Sequence, residues 1–377
     1  MAAGRVVLVG GGHAHLEVLR DAARRPLGAE LVLVSPEPRQ LYSGMMPGQL
    51  RGAYAEADLA VDLPALCRAA GARFVEAPAE RVDAGAGGAA VHVAGGPTLD
   101  AALVSLDVGS RPAGLDRVPG AAEHAYAVRP PARWRALVTR AEALAAEGAG
   151  AGPLAACVVG GGAGGVELAF ALDARARAAG RAPRVTLVEG GDRVLPSFGR
   201  LGARVRRLLE RRGVRVLTGR AVAAIEADAV ALADGARVPS ALTVWTAGAA
   251  APPLVRASAL PADAGGYLRV DATLRAVDGR PVWGAGDCVA LDGAPWVPKA
   301  GVYAVREGPV LAHNLRAALA GARPRRYAPQ RRYLVALDTA DGRAFLRRGG
   351  VPLGVHARWA LRLKRAIDEG FVRRYRG

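Results

Sequence analysis

Residues 6–20 read VVLVGGGHAHLEVLR, and this stretch decides the fold of the chain. Three glycines, Gly10, Gly11 and Gly12, follow the apolar run 6–9 and precede a helix-forming segment. Glycine lets the backbone turn sharply between strand and helix and approach a pyrophosphate, whose charge then rests on the helix N-terminus. The stretch therefore predicts a dinucleotide-binding β-α-β unit, with strands at 5–9 and 31–34 and a helix at 16–25.

A second stretch of the same kind, CVVGGGAGGVELAFAL, occupies residues 157–172. Gly160, Gly162 and Gly165 have the spacing of a dinucleotide-binding turn, and Gly160 follows Gly10 by 150 residues. One such motif is weak evidence, whereas two of them, each between a strand and a helix, are hard to obtain by chance. We therefore expect a second unit over 155–189. Two adjacent dinucleotides in turn imply electron transfer between them.

The acid that ends the second unit bears on the choice of coenzyme. Glu189 lies in TLVEGG, 24 residues after Gly165. An acid at this point accepts hydrogen bonds from the ribose hydroxyls and repels a 2′-phosphate, which favours NADH over NADPH. The alternative is a surface acid beside Arg193, with the arginine binding the phosphate of NADPH.

Further segments complete an α/β pattern. Apolar strands are expected at 73–82, 89–93, 103–112, 241–248 and 281–288, and helices at 62–71, 133–147, 201–212 and 298–319, the last interrupted or kinked at Pro309. Residues 35–50 are expected to form a loop or short helix rather than a strand. The tail from residue 333 predicts a hairpin and a final helix.

The composition is that of a globular chain with an uneven charge. It has 377 residues, a net charge of +17 and two lysines, Lys299 and Lys364, among 51 basic residues. Residues 323–377 hold 15 Lys or Arg against 4 Asp or Glu, a net +11. A basic C-terminal part indicates an acidic surface as partner. No nucleic-acid motif accompanies it, so anionic lipid is the better candidate and nucleic acid is not expected.

The cysteines indicate a reducing location and no metal site. Cys67, Cys157 and Cys288 are widely separated and have no metal-ligand spacing. The first strand starts almost at once, which leaves no room for a signal peptide, and no apolar run of 18 residues is present. We expect a cytoplasmic protein, with peripheral attachment to the inner face of the membrane as an option.

These residues together resemble the pyridine nucleotide-disulfide oxidoreductase superfamily over about residues 5–320. GGGHAHLEVLR, SPEPRQLYSGMMPG and PKAGVYAVREGPVLAHNLRAAL look closest to type II NADH:quinone oxidoreductase-like proteins and to flavoprotein modules fused to selenide, water dikinase. The resemblance implies FAD and NADH as cofactors. It places the following residues at FAD: Gly10, Gly11, Gly12, His13, Ser35, Arg39, Gly109, Gly286, Asp287 and Lys299. It places Gly160, Gly162, Gly165 and Glu189 at NADH.

The first motif departs from the family pattern in two places. His15 stands where the third glycine is expected, so either the helix lies farther from the strand or the imidazole fits between them. Ser35 stands where an acid would bind the adenosine ribose, and Glu37 follows two residues later. For His15 a structural role is favoured, and the role of His13 stays open.

Two residues are candidates for catalysis. In the family, the acid matching Glu167 lies by the nicotinamide; the alternative is that Glu167 only stabilises the start of its helix. Lys299 is one of two lysines in an arginine-rich chain and, by the resemblance, points at the flavin pyrimidine edge. The alternative is that Lys299 lies at the start of a helix and has no functional role. Asp287 likewise has the alternative of a helix cap.

The segment that carries the redox cysteine pair in disulfide reductases has none in this chain. Tyr42, Ser43, Met45 and Met46 stand there, so a dithiol relay is excluded and the flavin passes its electrons directly to an acceptor. A sulfide-oxidising activity would need cysteines beside the flavin, and only Cys288 could approach it.

The final predicted helix is amphipathic. Trp359, Leu363, Ile367 and Phe371 form one apolar stripe at intervals of four residues, surrounded by basic residues that include Lys364. The stripe either anchors the chain on anionic lipid near a quinone or packs on the body of the protein, and packing is favoured.

We predict an α/β protein with two nested Rossmann-like, three-layer domains and a short C-terminal extension. The FAD-binding domain comprises 1–115 and 250–322, the inserted NAD(P)H-binding domain 116–249 and the basic extension 323–377. The predicted activity is an FAD-dependent NADH dehydrogenase that reduces a quinone or another small acceptor. The alternatives are a reductase of selenium or sulfur metabolism and a slow redox sensor. The sequence indicates no oligomeric state.

Overall fold

A computed structural model describes residues 4–349 and 351–376. The elements up to residue 112 are, in chain order, β1 (Arg5–Val9), α1 (His13–Arg24), β2 (Glu30–Ser35), β3 (Arg39–Leu41), α2 (Met46–Leu50), α3 (Glu56–Leu59), β4 (Ala60–Asp62), α4 (Leu63–Ala69), β5 (Arg73–Glu76), β6 (Ala79–Gly85), β7 (Gly88–Val93), β8 (Leu99–Ala101), β9 (Leu103–Leu106) and β10 (Arg111–Pro112). Those of residues 113–250 are α5 (Ala121–His124), β11 (Ala125–Ala127), α6 (Pro131–Ala146), β12 (Leu154–Val159), α7 (Ala163–Ala178), β13 (Pro183–Glu189), α8 (Arg200–Arg211), β14 (Arg215–Thr218), β15 (Val222–Ile225), β16 (Ala229–Leu232), β17 (Arg237–Pro239), β18 (Leu242–Trp245) and β19 (Ala249–Ala250). The remaining elements are α9 (Pro253–Ala257), β20 (Leu268–Val270), β21 (Val282–Gly284), β22 (Val289–Leu291), α10 (Gly301–Leu319), β23 (Leu334–Asp338), β24 (Ala344–Arg348), β25 (Val351–Ala357) and α11 (Arg358–Tyr375).

Two five-stranded parallel sheets organise the chain. The first has the strand order β21-β9-β1-β2-β5 and the second β11-β18-β12-β13-β14, with every pairing parallel. Strands β1 and β12, at the centres of the two sheets, each lead into a glycine turn and a helix. The predicted α/β class with two Rossmann-like units is confirmed.

The chain leaves the first sheet and returns to it. The first sheet takes β21 from residues 282–284, although its other strands lie before residue 107, and all strands of the second sheet lie between them in sequence. The two crossings run side by side, because β10 pairs antiparallel with β19. The predicted domain boundaries, at 115/116 and 249/250, fall close to these strands and stay a prediction.

Three predicted elements differ in the structure. The strand expected at 73–82 is two strands, β5 in the first parallel sheet and β6 in an antiparallel sheet with β7 and β8. Pro78 lies between them, and a proline cannot donate a ladder hydrogen bond. The strand expected at 103–112 leaves the first sheet after Leu106. Within 35–50, the short strand β3 pairs with β4, where no strand was expected.

The C-terminal extension forms a small sheet and a helix that pack against the rest of the chain. An antiparallel sheet of β23, β24 and β25 is followed by α11, which contacts β23 and β24. The expected hairpin is thus a three-stranded sheet, and residues 350 and 377 lie outside the described residues. Among the described residues, no helix is both long and apolar enough to cross a bilayer.

Candidate active site

The first glycine turn joins β1 to α1. Gly10 has a φ of +92°, and its N–H donates to the carbonyl of Val34 at 2.8 Å. A Cβ added to Gly12 would lie 2.3 Å from the Asp107 carboxyl group, so the turn accepts no side chain at this position. The turn leaves the positive end of α1 next to the carboxyl ends of the parallel strands, where dinucleotides bind.

A cavity of about 950 Å³ adjoins this turn. Its volume is within the range typical of small-molecule and cofactor sites, roughly 300–1,000 Å³. Seven of the predicted FAD residues line it: Gly10, Gly11, Gly12, His13, Ser35, Gly109 and Asp287. Arg111, Arg129 and Arg133 line it as well. A glycine turn, a helix N-terminus and three arginines suit a pyrophosphate, and buried Asp287 can accept hydrogen bonds from sugar hydroxyls, so these residues fit FAD.

The other three predicted FAD residues do not line this cavity. Gly286 lies directly before Asp287 and has a φ of +73°. Arg39 is more than half exposed, and its Nη1 is 3.8 Å from Glu56. Lys299 donates a hydrogen bond to the carbonyl of Val289 and lies 3.9 Å from the centre of the Tyr267 ring. Burial lowers the pKa of Lys299.

Arg129 is a site residue that sequence reasoning missed. Its Nη1 donates to Asp287 Oδ2 at 2.8 Å and to Ser110 Oγ at 2.7 Å. Arg129 lies just after β11, which belongs to the second sheet, and Asp287 follows β21 of the first. The pair thus joins the two sheets at the cavity, although 158 residues separate its members. No sequence signal marks Arg129, which lies outside every element expected from the sequence.

His15 occupies the place of the missing third glycine. The imidazole is fully buried, with Nδ1 2.6 Å from the Gly10 carbonyl and Nε2 2.8 Å from Ser105 Oγ. Since a carbonyl only accepts, Nδ1 carries the hydrogen and Nε2 accepts from the serine hydroxyl. Burial lowers the pKa of His15 to about 4, so the ring is neutral. The imidazole therefore fits between helix and strand, and its role is structural.

Asp107 is a second residue that sequence reasoning missed. It directly follows β9, is fully buried, and lines the cavity. Its Oδ2 accepts the N–H of Ala14 at 2.8 Å and that of His15 at 3.1 Å, so it satisfies two amides of the first turn of α1. Burial raises its pKa to about 8. The sequence hides this role, because the residue looks like the end of an apolar strand.

His13 borders the same cavity from the start of α1. Its Nδ1 is buried and has no hydrogen-bond partner among the described residues. The ring lies 5.7 Å from Tyr42 and 5.1 Å from Phe371 of α11, measured between ring centres. Burial, with the charge of Arg129 adding to it, lowers the pKa of His13 to about 4. His13 is thus a neutral ring between the cavity and the C-terminal helix.

The adenosine end of the predicted FAD site contains Ser35 and Glu37, which both line the cavity. Ser35 Oγ donates to the carbonyl of Glu37 at 3.0 Å. The Glu37 carboxylate accepts from Arg135 Nη1 at 2.8 Å. An acid thus lines the cavity at position 37, two residues after position 35, where the family pattern has it.

The second glycine turn is tighter than the first. A Cβ on Gly165 would lie 1.9 Å from the carbonyl oxygen of Gly160, so only glycine fits where α7 passes the turn. A smaller cavity of about 300 Å³ adjoins it and is lined by Gly160, Gly161, Gly162, Glu189, Arg220 and Trp245, among others. Glu189 Oε2 accepts the N–H of Gly161 at 2.6 Å, so the acid lies at the turn, and its role at the NADH ribose stays a prediction. Arg193, the alternative phosphate ligand, is exposed and paired with Asp192 at 2.5 Å.

Glu167 lines neither cavity and lies instead in a buried ionic cluster. Its Oε1 accepts the N–H of Asp338 at 2.8 Å. Lys364 of α11 donates to Asp368 Oδ2 at 2.7 Å and to the carbonyl of Gly44 at 2.6 Å. Burial raises the pKa of Glu167 to about 7, and the charge of Lys364 opposes this shift. The cluster ties the C-terminal extension to α7 and to the segment that replaces the redox cysteines.

The apolar stripe of α11 is exposed, and the favoured prediction that it packs on the body is wrong for three of its four residues. Trp359, Leu363 and Ile367 are 52%, 39% and 46% exposed, whereas Phe371 is buried. The helix instead buries the face that carries Lys364, which was expected among the surrounding basic residues. The physical reason is that the same face also carries the apolar side chains of Leu361, Val372 and Tyr375, and that the ionic cluster supplies partners for Lys364 on distant segments.

None of the three thiols lines either cavity. Cys67, Cys157 and Cys288 are free and buried. Burial raises the pKa of each thiol to about 12, so none is a ready thiolate. Where disulfide reductases carry their cysteine pair, Ser43 and Met46 line the cavity.

Fold and site together define a flavoprotein oxidoreductase with two dinucleotide sites and no redox disulfide between them. The chain belongs to the pyridine nucleotide-disulphide oxidoreductase family, which its residues 4–316 match. It is 32% identical over 304 residues to an NADH dehydrogenase-like protein of Mycobacterium tuberculosis, covering 76% of this chain and 73% of the relative. The predicted oxidoreductase class and the cofactors FAD and NADH are confirmed.

Two further proteins are similar. The demethylphylloquinone reductase NdbB of Synechocystis is 35% identical over 136 residues, which cover 34% of this chain and 32% of that protein. The sulfide:quinone oxidoreductase of Aquifex aeolicus has a similar structure, with a TM-score of 0.82 at 20% identity over 99% of this chain and 92% of that one. The latter likeness concerns the fold alone.

Proposed function

We propose that this protein is an FAD-dependent NADH dehydrogenase that delivers its electrons to a quinone. The observation that carries the proposal is the pair of glycine turns, each beside its own cavity on its own parallel sheet. The relatives support NADH as donor, and the relative that reduces demethylphylloquinone supports a quinone as acceptor. When bound, FAD supplies the chemistry, taking a hydride from the nicotinamide and releasing electrons to the acceptor.

The chain's own residues bind and orient the two nucleotides. We assign the FAD pyrophosphate to the turn Gly10, Gly11 and Gly12 with Arg129 near it, and the ribityl hydroxyls to Asp287. For NADH, the turn from Gly160 to Gly165 takes the pyrophosphate and Glu189 takes the adenosine ribose. The Glu189 carboxylate suits this role, since its oxygens accept the N–H of Gly161 in the turn at 2.6 Å and that of Gly191 at 2.7 Å and keep free lone pairs.

Glu167 and Lys299 remain the catalytic candidates. Glu167 has a pKa of about 7, so it can take up or release a proton near neutral pH. Quinone reduction consumes protons, and the buried cluster of Glu167 and Lys364 lies beside the segment expected next to the flavin. Lys299 does not line the FAD cavity, but it acts electrostatically on Asp287. In our proposal its positive charge supports a negative charge on the reduced flavin.

A quinone dissolves in the bilayer, and α11 offers a surface that suits an anionic membrane. The exposed residues Trp359, Leu363 and Ile367 lie among exposed arginines at positions 358, 362, 365, 373 and 374. An apolar stripe flanked by cations binds at the lipid headgroup boundary. Sedimentation with phosphatidylcholine vesicles, with and without phosphatidylglycerol, tests this. Leu363→Gln should weaken binding to the anionic vesicles, whereas Trp296→Gln, at an exposed tryptophan outside α11, should not.

The function itself is tested in two steps on the purified yellow protein. Mixing with NADH without oxygen should bleach the flavin within milliseconds to seconds; no bleaching would favour a redox sensor. A screen of acceptors for NADH oxidation should then rank a soluble quinone first. Turnover with polysulfide or selenite but not with quinone would replace the proposal by the selenium or sulfur reductase.

A further inference from the structure

Asp107 holds an unusual position for an acid in an FAD site. Its carboxyl group fits between two glycine segments: added Cβ atoms would lie 2.3 Å from it at Gly12 and 2.6 Å from its Oδ1 at Gly286. One oxygen, Oδ2, accepts two N–H groups of α1. These are amides of the helix turn on which a bound pyrophosphate rests. A carboxylate and a phosphate thus share one helix N-terminus.

The charged groups around Asp107 do not neutralise an ionised Asp107 carboxylate in addition to the FAD pyrophosphate. The titratable groups near it come from α1, from the segment after β21 and from α10, namely His13, His15, Asp287, Cys288 and Glu307. The two histidines are neutral and the cysteine is a thiol at neutral pH. Glu307 and Asp287 disfavour the ionised form of Asp107 further, in addition to its burial. Two cations act on this group of acids: Arg129 is already bound to Asp287, and Lys299 acts on Asp287, Cys288 and Glu307 while donating to the carbonyl of Val289.

We propose that Asp107 is a determinant of FAD binding, acting as a neutral carboxylic acid that keeps its proton whenever FAD occupies the first turn. In this arrangement Oδ2 continues to cap α1, and Oδ1 carries the hydrogen and donates it to an oxygen of the FAD pyrophosphate or to a water bound there. The inference rests on the assignment of FAD to this turn. One consequence is that FAD binding takes up a proton whenever Asp107 is ionised in the FAD-free protein.

The direction of the pH dependence follows from linkage. Burial raises the pKa of Asp107 to about 8, so below pH 8 the proton is already present and FAD binding needs no other. Above pH 8 each binding event takes up one proton, and the FAD dissociation constant rises about tenfold per pH unit. We therefore expect an increase of about tenfold between pH 7 and pH 9.

The experiment measures FAD dissociation from the holoenzyme at pH 7, 8 and 9. Serial dilution releases FAD, and its fluorescence reports the free fraction. Asp107→Asn is the informative variant, since an amide resembles the protonated acid: its oxygen can cap α1 and its NH₂ can donate to the phosphate. This variant should bind FAD with the same affinity at all three pH values, and at pH 9 about tenfold more tightly than the original protein.

Two matched variants identify the group responsible. Asp116→Asn makes the same change at an exposed acid that lines the same cavity, and it should keep the tenfold pH effect. Glu307→Gln removes the neighbouring acid, whose pKa burial raises to about 7. Because Glu307 also raises the pKa of Asp107, this variant should show a pH effect of at least about tenfold, beginning at a lower pH. A pH effect that persists in Asp107→Asn, or that disappears in Glu307→Gln instead, would overturn the proposal.

A measurement on the unaltered protein makes the test independent of any variant. Calorimetric FAD binding to the flavin-depleted protein, in two buffers of different ionisation enthalpy, counts the protons taken up. Close to one proton at pH 9 and close to none at pH 7 is expected. No uptake at pH 9, with FAD still bound, refutes the role of Asp107. Failure to bind FAD at any pH refutes the flavoprotein assignment itself.

Discussion

Replacing Gly165 by alanine tests the second nucleotide turn most directly. Gly165 is the third residue of α7, and its Cα faces the Gly160 carbonyl across the turn. The added Cβ would lie 1.9 Å from that oxygen and 2.8 Å from Thr246 Oγ1, whereas ordinary contacts begin at 3.4 Å. The start of α7 would therefore have to move away from the turn by roughly 1.5 Å, the shortfall in this contact.

The expected loss of stability has two parts. Overpacking of this kind costs about 1–3 kcal/mol. Thr246 Oγ1 donates to the carbonyls of Val159 and Gly160 at 2.8 and 3.1 Å, and displacing it costs about 1 kcal/mol more. We expect Gly165→Ala to lower the free energy of unfolding by about 2–4 kcal/mol. NADH affinity should fall by at least about tenfold, since the turn amides lose their positions.

Gly164 is the matched control, because it precedes Gly165 in α7 and a Cβ there would meet nothing within 4 Å. Alanine favours a helix over glycine by up to about 1 kcal/mol, so Gly164→Ala should be neutral or slightly stabilising. The assays are denaturant unfolding, NADH titration and FAD content, and the last should be unchanged in both variants. If Gly165→Ala bound NADH normally and unfolded no earlier than Gly164→Ala, the close approach of α7 to its turn would be refuted.

Three further predictions concern the buried residues His15 and Glu167 and the acid Glu189 at the second glycine turn. His15→Ala should lower the free energy of unfolding by about 3–5 kcal/mol, because it leaves a void and unpaired polar groups; a loss below about 1 kcal/mol in urea unfolding would contradict this. Glu167 has its pKa raised from 4.5 to about 7 on folding, so the protein should lose stability as pH rises through this window. Glu167→Gln should flatten that slope, and an unchanged slope would show that another group causes it. Glu189→Gln should shift the ratio of kcat/KM for NADH and NADPH toward NADPH by about tenfold, or about 1.4 kcal/mol, and an unchanged ratio would place the ribose elsewhere.

The sequence predicted the parts of this protein whose structure is local. Each glycine turn is specified by one short contiguous segment: an apolar strand, closely spaced glycines and the start of a helix. The acid Glu189 was predicted at its turn for the same reason, since it ends the next strand of the same unit. Local sequence was equally sufficient to exclude a redox disulfide.

The parts that sequence reasoning missed depend on contacts between distant segments. Arg129 and Asp287 meet because two sheets adjoin at one cavity, and Asp107 meets α1 because β9 lies beside β1. Neither contact has a period or motif that would reveal it. Burial of a charge is likewise a property of the whole surrounding volume, so the raised pKa values of Asp107 and Glu167 follow only from the assembled fold.

For the C-terminal helix α11, the sequence determined one property and the tertiary structure another. Its amino acids alone determined that it is an amphipathic helix with one apolar stripe, because side chains four residues apart share a face. Which face turns inward was decided by tertiary structure: the Lys364–Asp368 pair and the apolar residues Leu361, Val372 and Tyr375 pack inward, and Lys364 donates to the carbonyl of Gly44. Trp359, Leu363 and Ile367 of the stripe remain at the surface. A buried ion pair needs partners in fixed positions, and only the folded chain supplies them.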